Sequence, residues 1–249
     1  MIGAITAGLF SPTSGQLPVS GAALWLDASD ANTFTFSSGS RVSEWRDKSG
    51  NARNMTQATS TYQPNRTATQ NSLSAVKMRE SSVKYFMRNT SYNWANSAFT
   101  MLCVVRPLVG EYTAYLSQDA SAHLQLGQDP STPSVLAISR ISQATATSNL
   151  TLANNTTGQI TYKSAGVSSG TVVVQIYKSK VAASSTITLG SLSTQAVTMI
   201  GGSRSDLAPT IADFYGDGGF LCELIVYPSQ LNDTDRNAVE DYLIAKWGL

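Results

Sequence analysis

The sequence has 249 residues, 42% of them apolar and 13% charged, with a formal net charge of +1. Charge at about half its usual share of roughly 25% excludes a coiled coil, and the apolar content excludes plain disorder. A net charge so close to zero argues against nucleic acid as a partner, because binding a phosphate backbone calls for a clear basic excess.

The chain opens with the apolar run Met1 to Phe10, followed by the loop-like Ser11-Pro12-Thr13-Ser14-Gly15-Gln16-Leu17-Pro18. No Lys or Arg precedes the apolar run, and it is shorter than the roughly 20 residues needed to span a bilayer. Neither a signal peptide nor a membrane anchor is expected, and no membrane partner. Residues 1–20 read as an arm that docks either on its own domain or on a neighbouring subunit, with Ile2, Ile5, Leu9 and Phe10 as its attachment residues. Residues 21–249 read as one domain, since a single β-sandwich can reach this length.

From Gly21 onward short apolar runs alternate with turn formers. Strands are predicted at Ala22–Leu26, Phe99–Arg106, Thr171–Tyr177, Ala196–Ile200 and Phe220–Tyr227, with weaker alternation at 123–126 and 186–189. Many strands without intervening helices predict an all-β antiparallel sandwich or barrel. One helix is predicted at the C-terminus. Asn232 caps it, Asp233 and Asp235 sit where the helix dipole favours negative charge, and Gly248 stops it. Val239, Leu243 and Trp247 recur at i, i+4 and i+8 and form its apolar stripe, with Ala238 and Tyr242 beside them. The two cysteines, Cys103 and Cys222, read as half-buried strand thiols; a bridge between them is the alternative.

Several stretches together resemble a known family. They are Leu24-Trp25-Leu26-Asp27-Ala28-Ser29-Asp30, then Val42 to Asn51 with Trp45-Arg46-Asp47-Lys48-Ser49-Gly50-Asn51, and the strand Phe99 to Pro107. Phe220–Tyr227, Leu231-Asn232-Asp233 and the closing Tyr242-Leu243-Ile244-Ala245-Lys246-Trp247-Gly248-Leu249 complete the set. In this order they resemble the laminin-G-like, concanavalin A-like jelly-roll domains of bacterial surface proteins and phage structural proteins. The resemblance covers about residues 21–249, the middle third in strand pattern only, and implies a two-sheet antiparallel jelly roll whose first and last strands lie close together. Trp45 reads as a core or sheet-edge aromatic, and Asp47, Ser49, Gly50 and Asn51 as a turn.

Catalytic chemistry is sparse. The five glutamates Glu44, Glu80, Glu111, Glu223 and Glu240 are widely separated, so no neighbouring carboxylate pair for glycoside hydrolysis is evident. Asp213 and Asp217 near Glu223 read as turn residues. His123 is the only histidine, and no nucleophile elbow or phosphate loop occurs. No cofactor is expected. Calcium is a weak option, with Asp206, Asp213 and Asp217 as its candidate ligands. For sugar recognition, Tyr92, Trp94 and Asn96 combine stacking faces with amide groups, as Tyr112 and Tyr115 do less clearly; the alternative is that these rings cover a sandwich end.

The expected function is that of a phage virion structural protein, a tail-fibre or tail-associated adhesin displaying a lectin-like sandwich through its N-terminal arm, and not an enzyme. Its expected partners are other virion proteins, further copies of itself in a homo-oligomer (a trimer on a virion), and a host surface glycan. A capsid decoration protein and a stand-alone carbohydrate-binding lectin are the alternatives, and a glycoside hydrolase is the least supported.

Overall fold

The structure is a computed structural model and describes residues 15–80, 83–94, 97–107, 113–118, 124–129, 132, 134–140, 145–190, 197–202 and 219–249. The attachment residues Ile2, Ile5, Leu9 and Phe10 lie outside them.

The described chain begins with β1 (Leu24–Asp27), a 3-10 turn (Ala31–Thr33) and the hairpin of β2 (Phe34–Ser38) and β3 (Arg41–Trp45). Short strands follow: β4 (Met55–Thr56), β5 (Asn65–Gln70), β6 (Leu73–Lys77), β7 (Arg79–Glu80), β8 (Val83–Lys84) and β9 (Met87–Asn89). The middle of the chain supplies β10 (Phe99–Arg106), β11 (Thr113–Gln118), β12 (Leu124–Gln128), β13 (Val135–Arg140) and β14 (Thr145–Thr151). Then come β15 (Gly158–Ser168), β16 (Thr171–Lys178), β17 (Val181–Ala182), β18 (Ile187–Gly190), β19 (Thr198–Ile200), β20 (Phe220–Tyr227) and the single helix α1 (Asp233–Trp247).

All pairings among the described residues are antiparallel, and they build two layers. The first runs β18–β16–β15–β10–β20–β1. The second runs β2–β3–β4–β9–β19–β11–β12–β13–β14. A bridge through β20–β6–β5–β3 joins them, so the sandwich is one continuous ladder folded over on itself. The first and last strands are direct neighbours, Leu24 opposite Val226 and Asp27 opposite Glu223. This is the all-β sandwich with a short C-terminal helix that the sequence predicts.

Burial explains why some strands read clearly in sequence. The runs Phe99–Val105 and Phe220–Tyr227 are buried at every position, because the opposite layer covers one face and α1 crosses the other. In β16 buried Val172, Val174 and Ile176 alternate with more exposed neighbours, the pattern of a sheet wet on one side. Between the layers the Tyr162 hydroxyl donates to the Gly127 carbonyl at 2.7 Å, so the one polar atom of that ring is satisfied inside the core.

α1 keeps the predicted boundaries. Asn232 Oδ1 accepts from the Asp235 amide at 2.9 Å, and Gly248 closes the helix in the left-handed conformation at φ 67°. Val239, Leu243 and Trp247 are fully buried, each such side chain contributing about 1.5–3 kcal/mol by leaving water. Cys103 and Cys222 are free and fully buried on β10 and β20, rather than half-buried, and burial pushes both thiols up. The end of the expected arm lies against its own body: Leu17 and Val19 pack on the core, and the Tyr227 hydroxyl donates to the Val19 carbonyl at 2.8 Å.

At the β15–β16 bulge, Gly166 has φ +90°, and an added Cβ would lie 2.8 Å from the backbone of both Ser97 and Ala98. Backbone cannot move aside as a flexible side chain can. Gly166→Ala is expected to cost about 1–3 kcal/mol, measured as a lower denaturation midpoint at unchanged slope. An unshifted midpoint would show that the bulge tolerates a side chain.

Candidate functional site

Two surfaces of the sandwich carry chemistry: the outward face of the first layer, under α1, and the outward face of the second, which α1 does not touch.

On the first, Glu223 sits fully buried in the middle of β20. Its carboxylate accepts four hydrogen bonds: from Trp25 Nε1 at 2.7 Å, Trp247 Nε1 at 2.8 Å, the Tyr242 hydroxyl at 3.0 Å and Lys246 Nζ at 2.7 Å. Lys246 also reaches Asp27 Oδ1 at 2.9 Å, and Lys48 holds Asp27 Oδ2 at 2.9 Å and Asp30 at 3.0 Å. Toward the start of α1 a second buried group repeats the device. Arg236 pairs with both oxygens of Glu240 at 3.0 Å and lies 3.9 Å over the Tyr177 ring, while Thr161 donates to Glu240 at 2.6 Å.

Around the start of β1, the Asp47 loop locks the strand in place. Asp47 accepts from the backbone amides of Trp25 and Ser49 at 2.9 Å and of Arg53 at 3.0 Å. Ser49, Asn51 and Arg53 all donate to the Ala23 carbonyl. The turn reading of this motif holds, and Trp45 is a core aromatic, fully buried and tilted against Phe34 with ring centroids 5.1 Å apart.

The structure therefore brings together an acid pair that the sequence does not show, Asp27 and Glu223, on adjacent strands. Burial would raise the Asp27 carboxyl, but the Lys246 charge and hydrogen bonds from Ser29, Lys246 and Lys48 outweigh it and hold it below its ordinary 3.8. For Glu223 burial wins. Together with the Asp27 charge it lifts the carboxyl above 4.5 against the pull of Lys246 and Trp25. Both acids are shut from solvent and their oxygens are occupied, so a substrate finds no approach to this pair.

On the second layer one register row crosses the sheet: Thr35, Glu44, Thr56, Arg88, Met199, Ser117, Gln125. Met199 packs with Phe86, Tyr62 and Val197 apart from the main core, which places this row on the outward side. Ser117 and Gln125 are buried, whereas Thr35 and Thr56 are exposed and Glu44 and Arg88 half-exposed, so the row is open at its β2–β3–β4–β9 end. Glu44 is engaged by Thr35, Asn54 and Arg46.

The candidate sugar-binding rings turn out to be core. Tyr92 is 6% and Trp94 3% exposed; Arg53 covers one ring at 4.0 Å, and Phe99 meets the other edge-on at 5.0 Å. Neither ring offers a stacking face, which corrects the sugar-binding expectation for these two residues. Tyr115 is fully buried as well. Asn96, Tyr112, His123, Asp206, Asp213 and Asp217 lie outside the described residues. Among the described residues no three His, Cys, Asp or Glu group to hold a metal, and no helix is long and apolar enough to cross a membrane.

No family model matches the sequence, and no curated protein matches it. Solved structures match its shape. A Trypanosoma rangeli sialidase in complex with sialic acid superposes with a TM-score of 0.58 at 14% identity, over 92% of this chain and 34% of the sialidase chain. The same enzyme with the inhibitor DANA gives 0.57 at 13%, over 90% and 33%. The binding domain of botulinum neurotoxin serotype D/C gives 0.54 at 13%, over 90% and 52%. This chain thus spans about a third of the sialidase chains and about half of the toxin domain, and the shared property is the β-sandwich fold.

Lys246→Met leaves two buried carboxylates without the cation that bridges them and is expected to cost about 3–5 kcal/mol at pH 7. Because Glu223 has its carboxyl raised, protonation relieves the repulsion. The deficit should shrink as pH falls from 7 toward 4.5; below 3.8 both proteins lose stability as Asp27 gives up the charge that stabilises the fold, the wild type more because it also loses the Lys246 pairing, so the deficit narrows further. Urea melts across pH 3–8 measure this; a deficit independent of pH would mean that the charges are not what Lys246 contributes.

Proposed function

We propose that this chain is a non-catalytic, carbohydrate-recognising β-sandwich module displayed by a larger assembly. The observation that carries this reading is the distribution of polar groups over the two faces. The described acid pair is closed under α1 and saturated by donors, while the open end of the other layer presents hydroxyls, a guanidinium and one engaged carboxylate. Such groups bind a hydroxyl-rich ligand and lack the two opposed carboxylates of a glycosidase. The sandwich shared with a sialidase crystallised with sialic acid and with a toxin's binding domain lends support by analogy of fold.

The finer reading is that of a phage virion structural protein, a tail-fibre or tail-associated adhesin held through its N-terminal arm, residues 1–20, with a capsid decoration protein second. It rests on the family resemblance and on the apolar leading decapeptide. In this reading the chain works as a homo-oligomer on the virion, with other virion proteins as neighbours and a host surface glycan as ligand.

A glycan array probed with the full chain tests the first part. Binding confined to one saccharide class, with no turnover of the bound oligosaccharides, is expected; silence across the array, or release of sugar, overturns it. Protein identification on particles purified from the source tests the second, and absence of the chain from them removes the virion role while leaving glycan recognition standing.

A further inference from the structure

We propose that Arg88 anchors the carboxylate of an acidic sugar at the open end of the second layer; this deepens the glycan-recognising reading and rests on it. Among the described residues Arg88 is the only Lys or Arg whose described side chain makes no hydrogen bond, ion pair or ring contact. Every other such cation is engaged: Arg46 by Glu44 and Thr35, Arg53 by Ala23 and the Tyr92 ring, and Lys48 and Lys246 by the buried acids. Arg88 is half-exposed in the middle of a sheet row, where neighbouring strands restrict its rotamers, unlike a lysine waving on a loop.

Its surroundings suit a carboxylated sugar. On one side lies exposed Thr56, whose hydroxyl bonds the Arg88 carbonyl at 3.4 Å and keeps acceptor capacity. On the other lies the fully buried Met199, which packs with the buried Phe86 just before β9; half-exposed Tyr62 meets Phe86 with ring centroids 5.8 Å apart. A half-exposed aromatic ring, a cation and a hydroxyl at this end of the sheet suit the mixed faces of a pyranose ring.

The nearest acid on the row, Glu44, is two strands away and already paired, so it leaves the guanidinium charge uncompensated. One unpaired guanidinium fits one carboxylate, which its planar fork grips through two parallel hydrogen bonds. A polyanion would need several unpaired cations side by side, and the described residues do not supply them.

The test is calorimetric titration of the full chain with a hexuronate-terminated trisaccharide and with the same trisaccharide after reduction of its carboxyl to the alcohol. The acid form is expected to bind at least tenfold more tightly than the reduced form. Arg88→Gln should remove that preference, Arg88→Lys should retain part of it, and Arg46→Gln should leave it intact. Melting temperature should not change in Arg88→Gln, since no fold contact is lost. Equal binding of acid and reduced forms, or full preference in Arg88→Gln, overturns the assignment of Arg88 while leaving glycan recognition in place. Failure of both forms together with a silent array counts against the proposed function itself.

Discussion

The two-carboxylate grip of Lys246 is the interaction on which the rest of this fold depends. The first layer has at its centre strands that are apolar on both faces, and one of those faces must be shielded by something other than the opposite sheet. α1 does this with Val239, Leu243 and Trp247. An apolar stripe alone would let a helix slide or rotate on a flat apolar sheet at little cost. Lys246 can touch both Asp27 and Glu223 in one position of the helix only, and Arg236 with Glu240 and Thr161 fixes the other end. Burying these charges costs desolvation that apolar residues would avoid, so what the ions add is register.

The same network explains why residues far apart in sequence form one recognisable set. Trp25 and Glu223 are 198 residues apart, yet an indole N–H of β1 reaches a carboxylate of β20 because the first and last strands pair. The Asp47 loop then holds the start of β1 through the Ala23 carbonyl, and the final Lys-Trp of α1 closes over the pair. The tryptophans and acids that look most like a site in the sequence are thus committed to joining the ends of the chain. Their chemistry is spent on the fold.

The legible parts of the sequence are those whose signals are local. The strands Phe99–Arg106 and Phe220–Tyr227 and the helix between Asn232 and Gly248 follow from continuous apolar runs, a capping amide and a left-handed glycine. Strands such as Thr145–Thr151 and Asn65–Gln70 escape notice because Thr and Asn alternate there with a mixture of Ala, Ser, Arg, Gln and a single Leu, which makes no apolar period. The eleven-residue β15 hides for another reason: the alternation of Gln159-Ile160-Thr161-Tyr162 is short and gives way to Lys163-Ser164-Ala165-Gly166, and the burial of Gln159 and Thr161 on its second face cannot be read from their polarity. The Asp27–Glu223 pair is invisible because it depends on strand order. Tyr92 and Trp94 misdirect because a Tyr-Asn-Trp stretch has the same composition whether it faces a sugar or a core, and only packing tells the two apart.

Charge is scarce in this chain, which makes its use informative. With 13% charged residues, nearly every described cation is committed to a carboxylate, a backbone carbonyl or an aromatic ring. In a protein rich in surface lysines an unpaired guanidinium would mean nothing, because surface cations are ordinarily solvated and worth little. Here the other described cations are engaged, and an unpaired, strand-held Arg88 is the exception among them. One layer has closed its acids beneath a helix. Among the described residues the other leaves a cation unpaired beside the exposed Thr56, so the two outward faces differ in how far their polar groups are already committed.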